Sequence, residues 1–471
     1  MSFPIRHLGA GLAPLLLAAC AVPPPMAGTP GLRAPESLAA ASLDGPADAH
    51  WPDADWWRTL GDAQLTALIE EGLAASPTLA EAGARLRQAD GLVRGAGAAL
   101  IPQVGAGGSA GELKQSYNQG FPPAFVPHGW NSTGQVSGNL AFDPDLFGRN
   151  HAELAAATSD RAAARIEARA ARTALATAIA TAYADLGRLA ALHDVATAAT
   201  GVRRETARLV AERVASGLDT RAELREAEAA MATSEADLAA SDGALALARN
   251  RLAALLGAGP DRAATITPPA PAQFRTMPLP PHLALDLVGR RADIAAARAR
   301  AEAAAARVGA ARAAYFPDIN LVGLLGAQSL GIANLTAVGS ETGQAQAAIS
   351  LPLFAGGRLA GNYGAARGAY DAAVARYNAT LVDAVRDVAD AAAQARALSR
   401  ELDAANTAVA RSEEAFALAK RRYAGGLSPY LAVLSAEEAL LRNRQLLADS
   451  QGRVLALHVN LIRALGGGFS A

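Results

Sequence analysis

Residues Gly107-Gly108-Ser109-Ala110-Gly111 satisfy the G-x-S-x-G pattern in which a serine can become a nucleophile. That chemistry needs a buried strand before the serine and a helix after it, so that the hydroxyl stands on a sharp turn within reach of a base. The surrounding GAGGSAGELKQS offers neither an apolar strand before Ser109 nor a clear helix after it. The seven histidines (His7, His50, His128, His151, His193, His282 and His458) lie far apart. One cysteine, Cys20, excludes an intrachain disulfide and a multi-cysteine metal site. The expectation is a protein without catalysis, metal or cofactor.

Composition narrows the class further. The formal net charge is −1 and no basic block is present, which gives no footprint for nucleic acid. Of the 471 residues 51% are apolar but only 5% aromatic, and alanine dominates, so long helices packed through small side chains are expected. The N-terminus has Arg6, an apolar run from Leu8 to Ala19, and then Cys20. The run is too short to span a bilayer and fits a cleavable export signal. Leu17-Ala18-Ala19-Cys20 resembles a bacterial lipobox, which implies cleavage before Cys20 and its acylation with diacylglycerol and palmitate. An ordinary signal peptide with an incidental cysteine is the plain alternative. By the same resemblance, Ala21 is not the aspartate that retains such lipoproteins at the inner membrane, so the outer membrane is the expected destination.

The elements that position these residues come in two copies. PDLFGR ends at Arg149 and LPLFAGGR at Arg358, VASGL holds Gly217 and YAGGL holds Gly426, and LLG ends at Gly257 and ALG at Gly466. The offsets 358 − 149, 426 − 217 and 466 − 257 all equal 209. Such constancy over the whole span suits uninterrupted helices rather than loops, whose lengths drift. Upstream, Pro102 and Pro317 are 317 − 102 = 215 apart, so the six-residue change falls in a loop-bearing region between each proline and its LF motif.

The second copy's long helix shows an apolar seam from Tyr370 through Val374, Tyr377, Leu381 and Ala384 to Tyr423, in alternating steps of four and three with Ser412 its one polar member. That 3.5-residue period predicts coiled-coil packing. The first copy repeats it in part at Leu175, Ile179, Ala182, Leu186 and Leu189. A continuous helix from Arg149 to Arg213 would be about 98 Å long. Ser76-Pro77 predicts a helix start, and Pro102 and Pro317 predict helix stops. Alternation in Gln135–Asp143 and Gln344–Leu353 predicts strands. A third is expected after Pro317, and the Gly-rich stretch after Pro102 is a weak fourth. Four strands are too few to close a membrane barrel, so three copies supplying twelve are expected.

In order and spacing, DWWRTLGDAQL, RRADIAAARARA, AAYFPDINL, LFAGGR and YAGGL resemble the outer-membrane efflux proteins of the TolC and OprM type, particularly the lipoprotein branch labelled NodT. The resemblance covers nearly the whole chain after the signal. It implies a mainly α fold with a small β part, in which coiled-coil helices form a periplasmic α-barrel. Four strands per chain would enter a trimeric twelve-stranded transmembrane β-barrel. The implied role is the exit duct of a tripartite efflux pump, passively conducting small molecules. Its partners would be two identical chains, a periplasmic adaptor, an inner-membrane transporter of RND type and outer-membrane lipid, with no nucleic acid.

The domain division expected is a signal peptide 1–19, a lipidated linker 20–58, a first repeat 59–257, a Pro-rich linker 258–282, a second repeat 283–466 and a tail 467–471. Gly217, Leu218, Gly426 and Leu427 form the helix-to-helix turns and, by resemblance, meet the adaptor. Relatives narrow the tunnel after the second turn with aspartates; here Ala432 and Ser435 occupy those positions, and Leu431 is the candidate constriction, with interhelix packing its alternative reading. Arg149 and Arg358 mark strand-to-helix boundaries near the membrane interface, with a role in solute selection their alternative reading. The rival reading is a lipid-anchored periplasmic coiled-coil scaffold without a pore.

Overall fold

The computed structural model describes residues 31–38, 50–118, 122–269, 287 and 289–470. Cys20, the signal segment and much of both linkers lie outside the described residues. Among the described residues the principal α-helices and strands follow in chain order: α1 Ala63–Ala75, α2 Pro77–Ala98, β1 Gln103–Leu113, β2 Asn131–Phe142, α3 Arg149–Ala215, α4 Arg221–Leu255, a single turn α5 Pro260–Ala263, α6 Ala292–Ala313, β3 Asp318–Leu330, β4 Glu341–Ser350, α7 Arg358–Ala424 and α8 Tyr430–Ala464. The repeat is visible residue for residue. Helices α3 and α7 each have 67 residues, α4 and α8 each 35, and α2 and α6 each 22. The length change falls where it was expected, in the connections between strands: residues 114–130 join β1 to β2 but only 331–340 join β3 to β4.

Two compact units share the chain, and each draws on both repeats. One is built on Arg85–Ala164 and Ala297–Tyr377 and holds the sheet. The other is built on Arg33–Ala84, Arg165–Ala296 and Asn378–Ala471. Its core joins Trp56, Trp57, Leu65 and Ile69 to Ile179, Tyr183 and Leu186 of α3, Leu252 of α4, and Val459 and Ile462 of α8. DWWRTLGDAQL is the wedge that starts this core. Gly61 turns the chain at φ 70°, and Asp62 caps α1 by accepting from the Leu65 amide at 2.9 Å. The Tyr183 hydroxyl donates to the same carboxylate at 3.0 Å.

In α7 every seam position from Tyr370 to Tyr423 is buried or half-buried, Ser412 included, whose hydroxyl donates to the Ala408 carbonyl at 2.8 Å. No described helix is long and apolar enough to cross a membrane.

The sheet runs β1-β2-β3-β4 with every pair antiparallel. Register sorts most of its side chains, with Val322, Leu324 and Leu330 of β3 among the apolar exceptions on the otherwise polar face. Val104, Leu140 and Phe142, Ile319, Leu321 and Leu325, and Ile349 share one face, whereas Ser109, Gln135, Asn139, Gln328, Gln344 and Gln346 share the other. On β2 the apolar band from Gly134 to Phe142 spans about 26 Å at about 3.3 Å per residue, the height of a bilayer's hydrocarbon. Val104, Leu325 and Ile349 in this band are 80%, 76% and 70% exposed, so the chain itself does not cover it. The outer edges of β1 and β4 pair with no described strand.

Candidate functional site

Three places gather the residues singled out by their types. The first is the strand-to-helix junction. Arg149 and Arg358, 209 positions apart, line one cavity of about 220 Å³ with Asp143, Asp145, Phe147, Phe316 and Asp318. The Arg149 guanidinium lies 3.5 Å from both the Asp143 and Asp318 carboxylates. The first motif copy is organised by Asp145, which takes a left-handed backbone (φ 52°) just before the helix. Its carboxylate accepts from the backbone amides of Asn150 and His151 at 2.9 and 2.8 Å and lies 2.6 Å from His151 Nδ1. Burial pushes this carboxyl up, but those amides and the His151 ring outweigh it and hold it below the usual aspartate value.

The two copies diverge here. Phe147 stacks on Phe316 at 5.0 Å, whereas Phe354 in the second copy is 92% exposed.

The second place is the pair of helix turns. Gly217 and Gly426 adopt φ 72° and 73°, where a side chain would be strained, and each ends its long helix. Both turns border one groove of about 570 Å³, with Leu218 and Leu427 standing 64% and 73% exposed. Arg213 braces the first turn: its Nε donates to Asp219 at 2.9 Å, and its guanidinium lies 4.5 Å from the Tyr423 ring centre. The Tyr423 hydroxyl also donates to Asp219. Burial raises the Asp219 carboxyl, but Arg213 and Tyr423 outweigh it and the net shift is downward. Thr220 and Glu223 form a capping box at the start of α4, whereas Pro429 opens α8 without a side-chain cap. Leu431 is 61% exposed and so is not packed within its own protomer, and Ser435, four residues on, is exposed on the same side of α8.

The third place is one that sequence reasoning missed. Glu437 of α8 is 1% exposed and faces Arg203 Nε of α3 at 3.3 Å. Burial pushes its carboxyl up, against the pull of Arg203. Tyr430, two α8 turns away, is pushed up to about 12 by burial and by the neighbouring Glu437 and Glu226 carboxylates. The partners are 234 positions apart, and in the sequence each resembles an ordinary surface charge of an Ala-rich helix. A buried acid in a run of otherwise regular heptad spacing was the available signal.

Ser109 lies in the middle of β1 opposite Gln135, on a strand leading to another strand, so the geometry of a nucleophile elbow is missing. No cluster of three or more metal-binding side chains occurs among the described residues.

A sheet with one lipid-like face and one polar face, carried on duplicated long helices, defines an outer-membrane barrel protein with a helical extension. The sequence model described as "outer membrane efflux protein" matches residues 68–258 and 283–467, and the chain belongs to that family. It is 33% identical to outer membrane protein OprJ of Pseudomonas aeruginosa over 425 residues, 88% of this chain and 86% of OprJ. It is 32% identical to fusaric acid resistance protein FusA of Burkholderia cepacia over 325 residues, 68% of this chain but 61% of FusA. The crystal structure of outer membrane protein VceC from Vibrio cholerae aligns with TM-score 0.83 at 44% identity, over 89% of this chain and 100% of VceC. The fold is that of TolC-type channels, with an α-barrel of long helices and strands contributing to a trimeric β-barrel. The protein is thus one of the outer membrane, with its helical portion in the periplasm.

Proposed function

We propose that three copies of this chain form the exit duct of a tripartite efflux pump, passively conducting small molecules from a periplasmic adaptor and an inner-membrane transporter, of RND type, to the exterior. One observation supports this above the rest: the sheet leaves a bilayer-high apolar face uncovered and both edge strands unpaired. Unpaired edges beside lipid are not tolerated, because backbone groups there have no water to bond, so neighbouring copies must supply β1-to-β4 pairing. A pore-free scaffold leaves that face without a role. In this reading, lipid on Cys20 anchors each chain's N-terminus, Arg149 and Arg358 sit at the periplasmic boundary of the outer membrane, and Gly217, Leu218, Gly426 and Leu427 meet the adaptor.

Electron microscopy of the detergent-extracted mature protein tests the assembly, and intact mass of the same preparation reads the lipid. The expected result is a long threefold particle with a narrow barrel at one end and a mass increment on the N-terminal cysteine. A monomer, or a rod without a barrel, sinks the duct.

Leu431, tripled by symmetry, makes an apolar constriction that impedes ions by dewetting, with Ser435 beside it. Leu431→Ala is expected to raise single-channel conductance severalfold in planar bilayers. An unchanged conductance would move the constriction elsewhere.

A further inference from the structure

We propose that the polar face of the sheet is a permeation wall blind to the sign of charge, with Gln135 and Gln328 the residues that set its chemistry. The inference rests on the duct reading above. Among all residues of the four strands, only Glu112, Asp318 and Glu341 are charged. Register puts Glu112 and Glu341 on the apolar side, at the ends of their strands next to the loops, which leaves the polar face one charge. That one is Asp318, the first residue of β3, whose carboxylate lies 3.5 Å from the Arg149 guanidinium. Beyond this partly neutralised rim the wall carries no fixed charge.

Amides take the place of charges. Ser109 pairs with Gln135, and Gln135 with Gln328, so these side chains stand side by side on three neighbouring strands. The next level toward the helices is Gly107, Ser137, Gly326 and Thr342, all short. Three copies place six glutamines on one level, projecting beyond a ring of small residues. Each carboxamide presents a donor and an acceptor, so it serves a cation through its oxygen and an anion through its NH₂. A carboxylate or ammonium there would favour one sign, because fixed charge in a low-dielectric wall focuses its field into the opening. The geometry therefore suits small polar or amphiphilic solutes of either charge, and assigns any sorting by sign to another part of the path.

The test is the reversal potential of the full-length protein in planar lipid bilayers under a KCl gradient. Wild type is compared with the Gln135→Glu/Gln328→Glu and Gln135→Lys/Gln328→Lys pairs, each checked for an intact oligomer. The acidic pair is expected to move the potassium-to-chloride permeability ratio several-fold toward potassium, and the basic pair by a similar factor toward chloride. Gln344→Glu on edge strand β4 is the second probe should a pair fail to assemble, with the same expected direction. Ratios unchanged in channels that still conduct, or moved by one sign alone, overturn the neutral wall and leave the duct standing. The same measurements are made with Leu431→Ala added to each variant, and oligomer that inserts but conducts neither as wild type nor as Leu431→Ala overturns the duct reading, and the wall with it.

Discussion

Leu218→Asp combined with Leu427→Asp is expected to abolish efflux while leaving a stable oligomer of normal helical content. Both side chains are more than half exposed in the chain, so removing them opens no cavity and costs the fold little. The backbone at each turn is held instead by Gly217 and Gly426 in the left-handed region, and the first also by the Arg213–Asp219 pair. In a docked assembly the two leucines would be apolar anchors at the tip of adjacent turns, around one groove. An aspartate at each position would have to be buried unpaired or keep the partner away. At about 2 kcal/mol for each site the affinity falls roughly a thousandfold. Susceptibility of cells carrying the double variant to a toxic solute that the wild-type chain exports, with in-cell crosslinking to the adaptor, gives the readout. Full efflux with normal crosslinking would remove these turns from the docking surface.

Arg291→Ala is expected to cost the most stability of any single substitution outside the apolar core. The guanidinium is 9% exposed and holds three separate pieces of chain. It donates to Asp293 at the start of α6 at 2.6 Å, to Asp387 of α7 at 3.2 Å, and to the Ala464 carbonyl ending α8 at 3.1 Å. Burial disfavours its charge, but the two aspartates overcompensate and the guanidinium is held more firmly protonated than usual. Truncation leaves the carbonyl at the α8 C-terminus without this donor and the partly buried Asp387 with only the exposed Arg386, at about 3 kcal/mol or more. Arg291→Lys should recover only part of this, since an ammonium cannot reach three acceptors as a planar fork does. Denaturant unfolding of the extracted protein followed by circular dichroism measures both variants, and a loss below about 1 kcal/mol for the alanine variant would contradict the bracing role.

What could be read ahead of the coordinates follows from how locally each element is determined. The long helices were legible because coiled-coil contacts recur every three or four residues and admit no insertions, so the seam from Tyr370 to Tyr423 and the constant offset announce both pairing and length. Strand β1 was nearly invisible: Gly105, Gly107, Gly108 and Gly111 give it little intrinsic preference, yet all eleven residues pair with β2. Its formation is dictated by a neighbour 18 to 38 positions away, through backbone hydrogen bonds that no side-chain pattern encodes. The turn glycines were readable from the need for positive φ. Arg291 was visible only as part of RRADI, and of the Glu437–Arg203 pair only an acid at a heptad position showed, without its partner, because a buried ion pair is made by the meeting of two helices and not by either one.

The equality of the duplicated rods also limits how such a chain can change. With α3 matched to α7 at 67 residues and α4 to α8 at 35, the two turns follow their respective strand junctions after the same number of helical residues. A heptad deleted from α3 and α4 alone would draw Gly217 back by two turns, about 10 Å, while Gly426 stayed where it was. In the trimeric duct proposed above, three shortened helical pairs would then alternate with three of full length. Length in this protein is therefore a shared quantity: the chain can grow or shrink only by editing both halves together, like a stool whose legs are cut in pairs.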